Sequence, residues 1–498
     1  MCDEDEVLFC RTMHGVMKNI AHLCRRERSR VWGRDSPKKV VVCIVSDGRG
    51  KINPRTLSVI TMMGVYQKDV LRTRIGRKDV TAHLYEYTTQ ISVNPSLETK
   101  VSETGVVPVQ IIFCLKEKSQ GKVNSHRWFF NAFGPILQPN ICILLDTGAM
   151  PGPTSIYHLW KAFDISSNLG GACGEVVVFK GKFWKNLVNP LVAAQNSEYK
   201  LSHILDKSLE SVFGYITVLS STFSGYRYIA VQNDRNGEGP LQKYFLGEAL
   251  QDSYAGNFVT SMGLPVDHTL CWELVSKRGC SWVVHYVKSA YAEIPVPDRV
   301  HELITQQSRR PNGSFLAAVH STVHFYNIYR SDHTFIRKVW IHIGMLYHLV
   351  DLTFSWFSLA NFYITFAILT ESLEDPSFNL SGIQIANRIL TCLYLALVFA
   401  SFCLYLLNRR QDFKVFYAAT PVGFAVIMVY MIVAVILLGF KGISILVKEK
   451  EGMLGFVDLF MDPTCRNIVL GLASTLGLYV VSSLIFVSRT YSFLLFFV

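Results

Sequence analysis

No two of the twelve cysteines stand in Cys-x-x-Cys spacing, which leaves a zinc or thioredoxin-like site without support. They are dispersed, and Cys43, Cys114, Cys142 and Cys173 sit in or beside apolar runs, where a free thiol acts as a small buried hydrophobe. That usage suits a reducing cytosol. No internal repeat and no low-complexity tract is present, so repeat architectures are not indicated. Acidic charge is scarce: 38 Asp and Glu against 49 Lys and Arg leave a net charge of +11. The basic residues are scattered and no nucleic-acid-binding motif is found, so nucleic acid is not an expected partner. A basic membrane protein usually carries Lys and Arg on its cytoplasmic parts, where they meet anionic lipid. The start, with Asp3, Glu4, Asp5 and Glu6, lacks the basic-then-apolar order of a signal peptide and is expected to stay in the cytoplasm.

What is there changes character near residue 340. The chain of 498 residues is too long for one core, so two or more units are expected. Mean hydropathy is +0.25, high for a soluble enzyme and low for a protein made only of spans. The first part is mixed in pattern and rich in charge. The second holds four apolar runs, near 349–370, 389–407, 418–440 and 468–487. Each is close to the length of about 20 residues that crosses a bilayer as a helix. Enzymes that build an insoluble polymer and pass it through a membrane need such a pairing, and channels and receptors can share it. The boundaries read as an N-terminal helical and basic segment at 1–39, a cytosolic domain at 40–313, amphipathic interfacial helices at 314–345 and a transmembrane region of about four spans at 346–498.

Residues 10–30 read as a helix ending in Arg25, Arg26, Arg28 and Arg30, a cluster taken as a solvated face. Residues 40–45 are a continuous β-branched run closed by Ser46, Asp47 and Gly48, the signature of a buried strand of a parallel sheet. Similar runs follow at 107–115, 141–145 and 176–179, separated by helical patterns near 125–133 and 154–163. Strands alternating with helices predict an α/β sheet, and ligands bind such sheets at strand carboxyl ends. Asp47 and Asp146 each end a strand and are candidates for a shared cleft. A long helix is predicted over 191–209, with strands at 218–228 and 270–275. Residues 315–337 are aromatic and basic, as in a helix lying on a membrane surface or an ordinary buried one. Asn408, Arg409 and Arg410 mark a cytoplasmic loop, while Lys441, Lys448 and Lys450 would fall outside, against the positive-inside rule. Either the third run re-enters, or this segment is an interfacial helix. Asn379-Leu380-Ser381 is a glycosylation sequon on the expected outer loop.

Several positions suit chemistry, each with a plainer alternative. Asp146-Thr147-Gly148 places a carboxylate after an apolar strand and a glycine where a ligand can approach the backbone. Magnesium or manganese takes oxygen ligands and commonly shares them with substrate phosphates, and a sugar-nucleotide transferase needs this for its leaving diphosphate. Read alone, the same triplet is a helix-capping aspartate. Gln195, Glu198 and Tyr199 lie within the predicted helix, where Glu198 and Tyr199 suit sugar hydroxyls or are simply an exposed polar face. Asp267 precedes a predicted strand and suits a general base on an acceptor hydroxyl, or a turn. Gln306 and Arg309 precede Pro311-Asn312-Gly313, where arginine suits a diphosphate or a basic helix end.

Together these segments resemble a fungal-type chitin synthase. The resemblance runs from about residue 10 to the last apolar run. It is carried by 40–53 (VVVCIVSDGRGKIN), 124–133 (NSHRWFFNAF), 144–163 (LLDTGAMPGPTSIYHLWKAF), 170–175 (GGACGE), 191–213 (LVAAQNSEYKLSHILDKSLESVF) and 224–247 (SGYRYIAVQNDRNGEGPLQKYFLG). It implies a GT-A-type domain followed by α-helical spans, and a processive, inverting family 2 glycosyltransferase. Such an enzyme passes N-acetylglucosamine from UDP-N-acetylglucosamine to the 4-hydroxyl of a chitin oligomer, with magnesium or manganese, and moves the polymer through its membrane helices. By position, Asp47 would help hold uridine and Asp146 the metal and diphosphate. Gln195, Glu198 and Tyr199 match the family's Gln-x-x-Glu-Tyr motif near donor and acceptor. Asp267 matches the expected base, and Gln306 and Arg309 the donor-binding Gln-Arg-Arg-Arg-Trp motif. A multi-pass protein of the plasma membrane in contact with lipid is implied, with its catalytic domain cytoplasmic; a homo-oligomer is left open.

The chain also departs from the family. The Glu-Asp-Arg motif reads Val266-Asp267-His268, and Gln-Arg-Arg-Arg-Trp reads Gln306-Gln307-Ser308-Arg309-Arg310. Arg310 stands where the family has an aromatic platform for the acceptor sugar, a loss of about 1 kcal/mol or more of apolar contact. Met150 replaces an arginine, and Ser220-Ser221 a Pro-Gly pair. Both ends are expected to be short for the family. These changes leave an alternative: a catalytically impaired homologue acting as a membrane partner of an active synthase.

Overall fold

The computed structural model describes residues 1, 3–96, 99–101, 107–220, 222–234, 237–251, 266–300, 302–303, 318–374, 376, 382–407, 414–449, 466 and 470. The chain divides into two compact units, Met1–Val296 with Arg310–Leu349, and Pro297–Arg309 with Val350–Val498.

The first unit begins with α1 (Glu6–Cys24), β1 (Val41–Ser46), α2 (Pro54–Met62), β2 (Ala82–Thr89) and β3 (Val109–Lys116). β1 runs parallel to β3, with Val45 opposite Cys114, and β2 pairs antiparallel on the other side of β3. The central strand is covered on both faces, and Ile111, Phe113, Cys114 and Leu115 are fully buried. β2, at an edge, exposes Leu84 and Tyr87. α1 repeats Phe9, Met13, Val16 and Ile20 at helical spacing and lays them against Ile44, Val59 and Ile111. α2 starts where Asn53 Oδ1 accepts the Arg55 N–H at 2.9 Å, with Pro54 in the first helical position.

A second sheet follows, from β4 (Ile141–Leu145), β5 (Met150–Pro151), β6 (Leu169–Val178), β7 (Phe223–Arg227) and β8 (Val283–Ile294), in the order β4-β7-β6-β8-β5. Only β6 and β8 are parallel; the other three pairings are antiparallel. The expected α/β class is present, as two mixed sheets rather than one parallel sheet. An apolar run shows that a strand is buried, not the direction of its neighbour. A helix at Ser155–Ile165 buries Leu159 and Phe163 against Leu169, Ala172 and Phe223.

Three further expectations change. β6 starts at Leu169 instead of 176, because Gly170, Gly171 and Gly174 weaken the strand signal. The predicted helix 191–209 is Pro190–Leu201, a π turn at Ser202–Lys207 and Ser208–Phe213. The predicted strand 270–275 is the end of a helix, Val266–Val275. Leu270, Cys271, Trp272, Leu274 and Val275 are all buried, and a run buried on all sides reads alike as strand or helix. Asp267 therefore lies in the first turn of that helix, not ahead of a strand.

Residues 325–330 form a short 3₁₀ turn in which Ile328 is buried and Tyr326 and Tyr329 are exposed. The helix Phe335–Trp356 follows, and its His348 closes a buried polar cluster. Thr217 Oγ1 donates to Glu210 Oε1 at 2.5 Å, and His348 Nε2 stands 3.1 Å from the Thr217 hydroxyl and 3.3 Å from Glu210 Oε1. Burial pushes the Glu210 carboxyl up to about 7, against the pull of Thr217 and Lys207.

In the second unit, helices Ser358–Leu373, Ile383–Leu407 and Lys414–Glu449 pack around Phe366, Tyr394, Ile427 and Met431. Asn387 is a buried polar link: its Nδ2 donates to Thr370 O at 2.9 Å and Glu374 Oε1 at 3.0 Å, and it accepts from the Tyr430 hydroxyl. Among the described residues, Ile383–Leu404 and Ala419–Lys441 are long and apolar enough to cross a membrane. Phe335–Trp356 and Ser358–Leu373, broken at Phe357, would count as a third if they act as one span. The last helix holds 36 residues, about 54 Å, so it outruns a hydrocarbon core of about 30 Å. Residues 441–449, for which a re-entrant third run or an interfacial helix was expected, continue this helix. The run 468–487, apart from Leu470, lies outside the described residues, as do Asn379 and Asn408–Arg410.

Because the folded Glu210 carboxyl titrates above its ordinary value of 4.5, the folded state keeps its proton longer than the unfolded one. Stability then falls as pH rises from 4.5 to about 7 and levels off above. Glu210→Gln is expected to flatten this fall, on the order of 3 kcal/mol in the native chain. Thermal melting of both proteins at about pH 5 and pH 8 checks it, and an unchanged pH dependence would refute it.

Candidate functional site

Asp47 follows the last residue of β1 and is only 6% exposed. A charge this deep needs partners. Lys116, the last residue of β3 and 1% exposed, places Nζ 2.5 Å from Oδ1 and also donates to Asn124 Oδ1 at 2.9 Å. The Ser119 hydroxyl and Gly121 N–H donate to Oδ2 at 2.9 Å each, and the Gln120 N–H to Oδ1 at 3.0 Å. Burial alone would raise this carboxyl, but the Lys116, Gln120 and Ser119 hydrogen bonds and the Lys116 charge hold it below the usual range. Gly48 has φ +99°, and a Cβ there would come within 3.0 Å of Ser119, so the turn after Asp47 needs glycine.

The helix Gly121–Arg127 starts from this loop. Its Lys122 Nζ donates to Asp146 Oδ1 at 2.7 Å. The two strand-end aspartates thus meet across one segment: Ser119–Gly121 serve Asp47, and Lys122 serves Asp146. Gly148, at φ +95°, donates its N–H to Thr12 Oγ1 at 2.8 Å, which ties the Asp146 turn to α1. Among the described residues, no three His, Cys, Asp or Glu side chains gather as a metal cage. Magnesium usually needs only one or two carboxylates plus substrate phosphates. Asp146, with its side chain 38% exposed, fits that use.

The helix Pro190–Leu201 is capped by Asn189, which accepts the Leu191 N–H at 3.0 Å. It carries Gln195, Glu198 and Tyr199. Gln195 is buried and donates to Leu191 O at 3.1 Å. Tyr199 packs on a small cluster that includes Ala149, three residues after Asp146, together with Val176 and Ile294. The motif is held there by His203 in the following π turn. His203 Nδ1 donates to Tyr199 O at 2.5 Å, and Nε2 accepts the Val176 N–H at 3.3 Å. Burial, helped by the Lys207 charge, lowers the imidazole to about 4, so it stays neutral in one tautomer.

Glu175 of β6 and Lys200 of the same helix were not singled out from sequence. Burial pushes Glu175 up and Lys200 down, and each charge partly offsets the other's shift. Lys116 was missed too. A lysine closing an otherwise apolar strand was the available signal for it. Lys122 and His203 left no such trace. Asp267 is placed in the first turn of its helix, and Gln306 and Arg309 lie outside the described residues.

A family model described as a chitin synthase-like glycosyltransferase domain matches residues 1–325. The chain belongs to the chitin synthase family. Chitin synthase 2 of Rhizopus oligosporus is 51% identical over 503 aligned residues, covering 99% of this chain and 58% of that one. Chitin synthase 3 of Verticillium dahliae is 48% identical over 491, covering 97% and 54%. The chain therefore spans a little over half the length of these relatives. A Pyrobaculum calidifontis mannosyltransferase, solved with GDP-mannose and manganese, aligns over 81% of this chain and 83% of that one, with a TM-score of 0.32 and 11% identity. A likeness this distant supports no inference about fold or cofactor. Of the expected site residues, Asp47 and Asp146 are both bonded by the segment Ser119–Lys122, and Tyr199 packs with Ala149 of the Asp146 turn.

Removing one partner of a buried ion pair strands the other charge. Lys116→Met and Asp47→Asn are each expected to cost about 3–5 kcal/mol, and the double variant less than their sum. Denaturant melts of the four proteins of this cycle check it; strict additivity would disprove the coupling.

Proposed function

We propose that this chain carries the catalytic part of a chitin synthase. The reaction is transfer of N-acetylglucosamine from UDP-N-acetylglucosamine to the 4-hydroxyl of a β-1,4 chitin chain, with inversion, followed by passage of the polymer through the membrane. The observation that carries this reading is the identity of about half to chitin synthases along nearly the whole chain, joined to the single segment, Ser119–Lys122, that bonds both Asp47 and Asp146. The altered motifs around Asp267 and Gln306 motivate the alternative of an impaired partner subunit, but the identity to chitin synthases along nearly the whole chain does not favour it.

In this reading Asp267 takes the proton of the acceptor hydroxyl as its oxygen bonds to C1 of the donor and the C1–diphosphate bond breaks. Asp47 orders the loop at the uridine end, and Asp146 faces the diphosphate with Lys122 beside it. A magnesium or manganese ion held by Asp146 and the phosphates would supply charge neutralisation on the leaving group. Gln195, Glu198 and Tyr199 border the sugars, and Gln306 and Arg309 contact the donor. The GT-A type, the plasma-membrane location and the cytoplasmic side of the first unit belong to the same proposal.

The test is incorporation of labelled N-acetylglucosamine into chitinase-sensitive polymer, using membranes from a host without its own synthases. Asp267→Asn is expected to lower kcat by about 100-fold or more while UDP-sugar binding persists. Asp146→Asn is expected to lose both activity and the metal dependence of donor binding. No polymer from the correctly inserted native chain would overturn the assignment, and equal rates in Asp267→Asn would remove the base.

A further inference from the structure

A basic cleft that shares no lining residue with the aspartate site lies where the end of α1 meets the helix Ser155–Ile165. A cleft of roughly 770 Å³ opens there, lined by Arg25, Arg26, Arg28, Arg30, Tyr157 and Trp160, among others. Two carboxylates border it, and both are already engaged. Glu27 pairs with Arg34 at 3.4 Å, and Asp164 with Lys161 at 2.5 Å. Among the described residues, no carboxylate stands within ion-pair distance of the four cleft arginines. Part of this cluster has an ordinary explanation. Arg25 caps α1, and a cation suits a helix C-terminus. That effect fades within the last turn, so it does not account for Arg28 and Arg30.

The floor is built rather than loose. The Arg26 guanidinium lies over the Tyr157 ring, 3.6 Å from its centroid, and donates to His22 Nε2 at 3.3 Å. Trp32 packs edge-on against Trp160, with centroids 5.0 Å apart, which fastens the arginine loop to the helix below. The cleft lining carries five basic side chains against two carboxylates. Burial, then Arg26, His158 and Arg25, lower the His22 imidazole. Forked guanidinium donors suit anionic oxygens, and four of them lining one cleft without a carboxylate partner suit a ligand with several charged oxygens, as phosphate groups supply.

We infer that this cleft binds an anion carrying several phosphate groups, either a soluble polyphosphorylated molecule or a phosphorylated lipid headgroup. The site is separate from the donor site and does not depend on the proposed activity.

The test uses the full chain in nanodiscs of neutral lipid, with a fluorescent inositol hexakisphosphate as probe and inorganic phosphate as comparator. Saturable probe binding is expected. Arg28→Glu with Arg30→Glu should weaken it at least tenfold. Arg72→Glu with Arg77→Glu makes the same charge change at two other exposed positions and should shift it less than twofold. Discs containing phosphatidylinositol bisphosphate, compared with phosphatidylserine discs of matched charge, identify the source. Loss of probe binding only in the former supports a lipid headgroup, and unchanged binding in both supports a soluble ligand. Equal weakening by the two charge reversals, or no saturable binding by the native chain, would overturn the proposal. All exchanged arginines are exposed, and matched melting curves separate lost binding from lost folding.

Discussion

Asp47 carries a charge at the buried end of β1, and much of the site's geometry follows from the need to satisfy it. A carboxylate in that position is tolerated only when it is paired and hydrogen-bonded. Lys116 answers from the neighbouring strand, and Ser119, Gln120 and Gly121 answer from the loop beyond. The loop is thereby held against β1, and the helix it opens delivers Lys122 to Asp146. One ionic requirement thus links the ends of strands that belong to different sheets. The energetic return of a buried ion pair is modest; its worth here is the positioning it enforces.

His203 does comparable work with no net charge. A neutral imidazole has one donor and one acceptor, and both are used, toward Tyr199 O and the Val176 N–H. A protonated ring could not accept from Val176, so the low value set by burial keeps the link intact across the neutral range. In the second unit Asn387 plays a similar part among apolar helices, where Thr370, Glu374 and Tyr430 leave it well satisfied. In each case a buried polar group selects one arrangement of elements that apolar packing alone would leave less specific.

The strand-end aspartates were legible because an apolar run followed by Asp and Gly is a local pattern. So were the two apolar helices Ile383–Leu404 and Ala419–Lys441, since length and hydropathy are additive along the chain. The pairings of Lys116 and Lys122 were not, because a lysine's partner is chosen by folding: Lys116 meets Asp47, 69 positions earlier in sequence, only once β1 and β3 pair. The segment 270–275 misled for a different reason. Its residues are buried on every side, and such a run has no periodicity to tell helix from strand. The glycines of β6 hid seven of its ten residues for another reason, by removing the side chains that mark a strand.

The sequence by itself determined the α/β class, the apolar helices of the second unit, the chemical kinds of residue available at the site and the family to which they are similar. Tertiary structure decided strand direction, the division into two sheets, and which charges face one another. Local patterns report how much of a segment is buried. They carry no information on which distant group will share that burial, because that choice is made by the packing of whole elements.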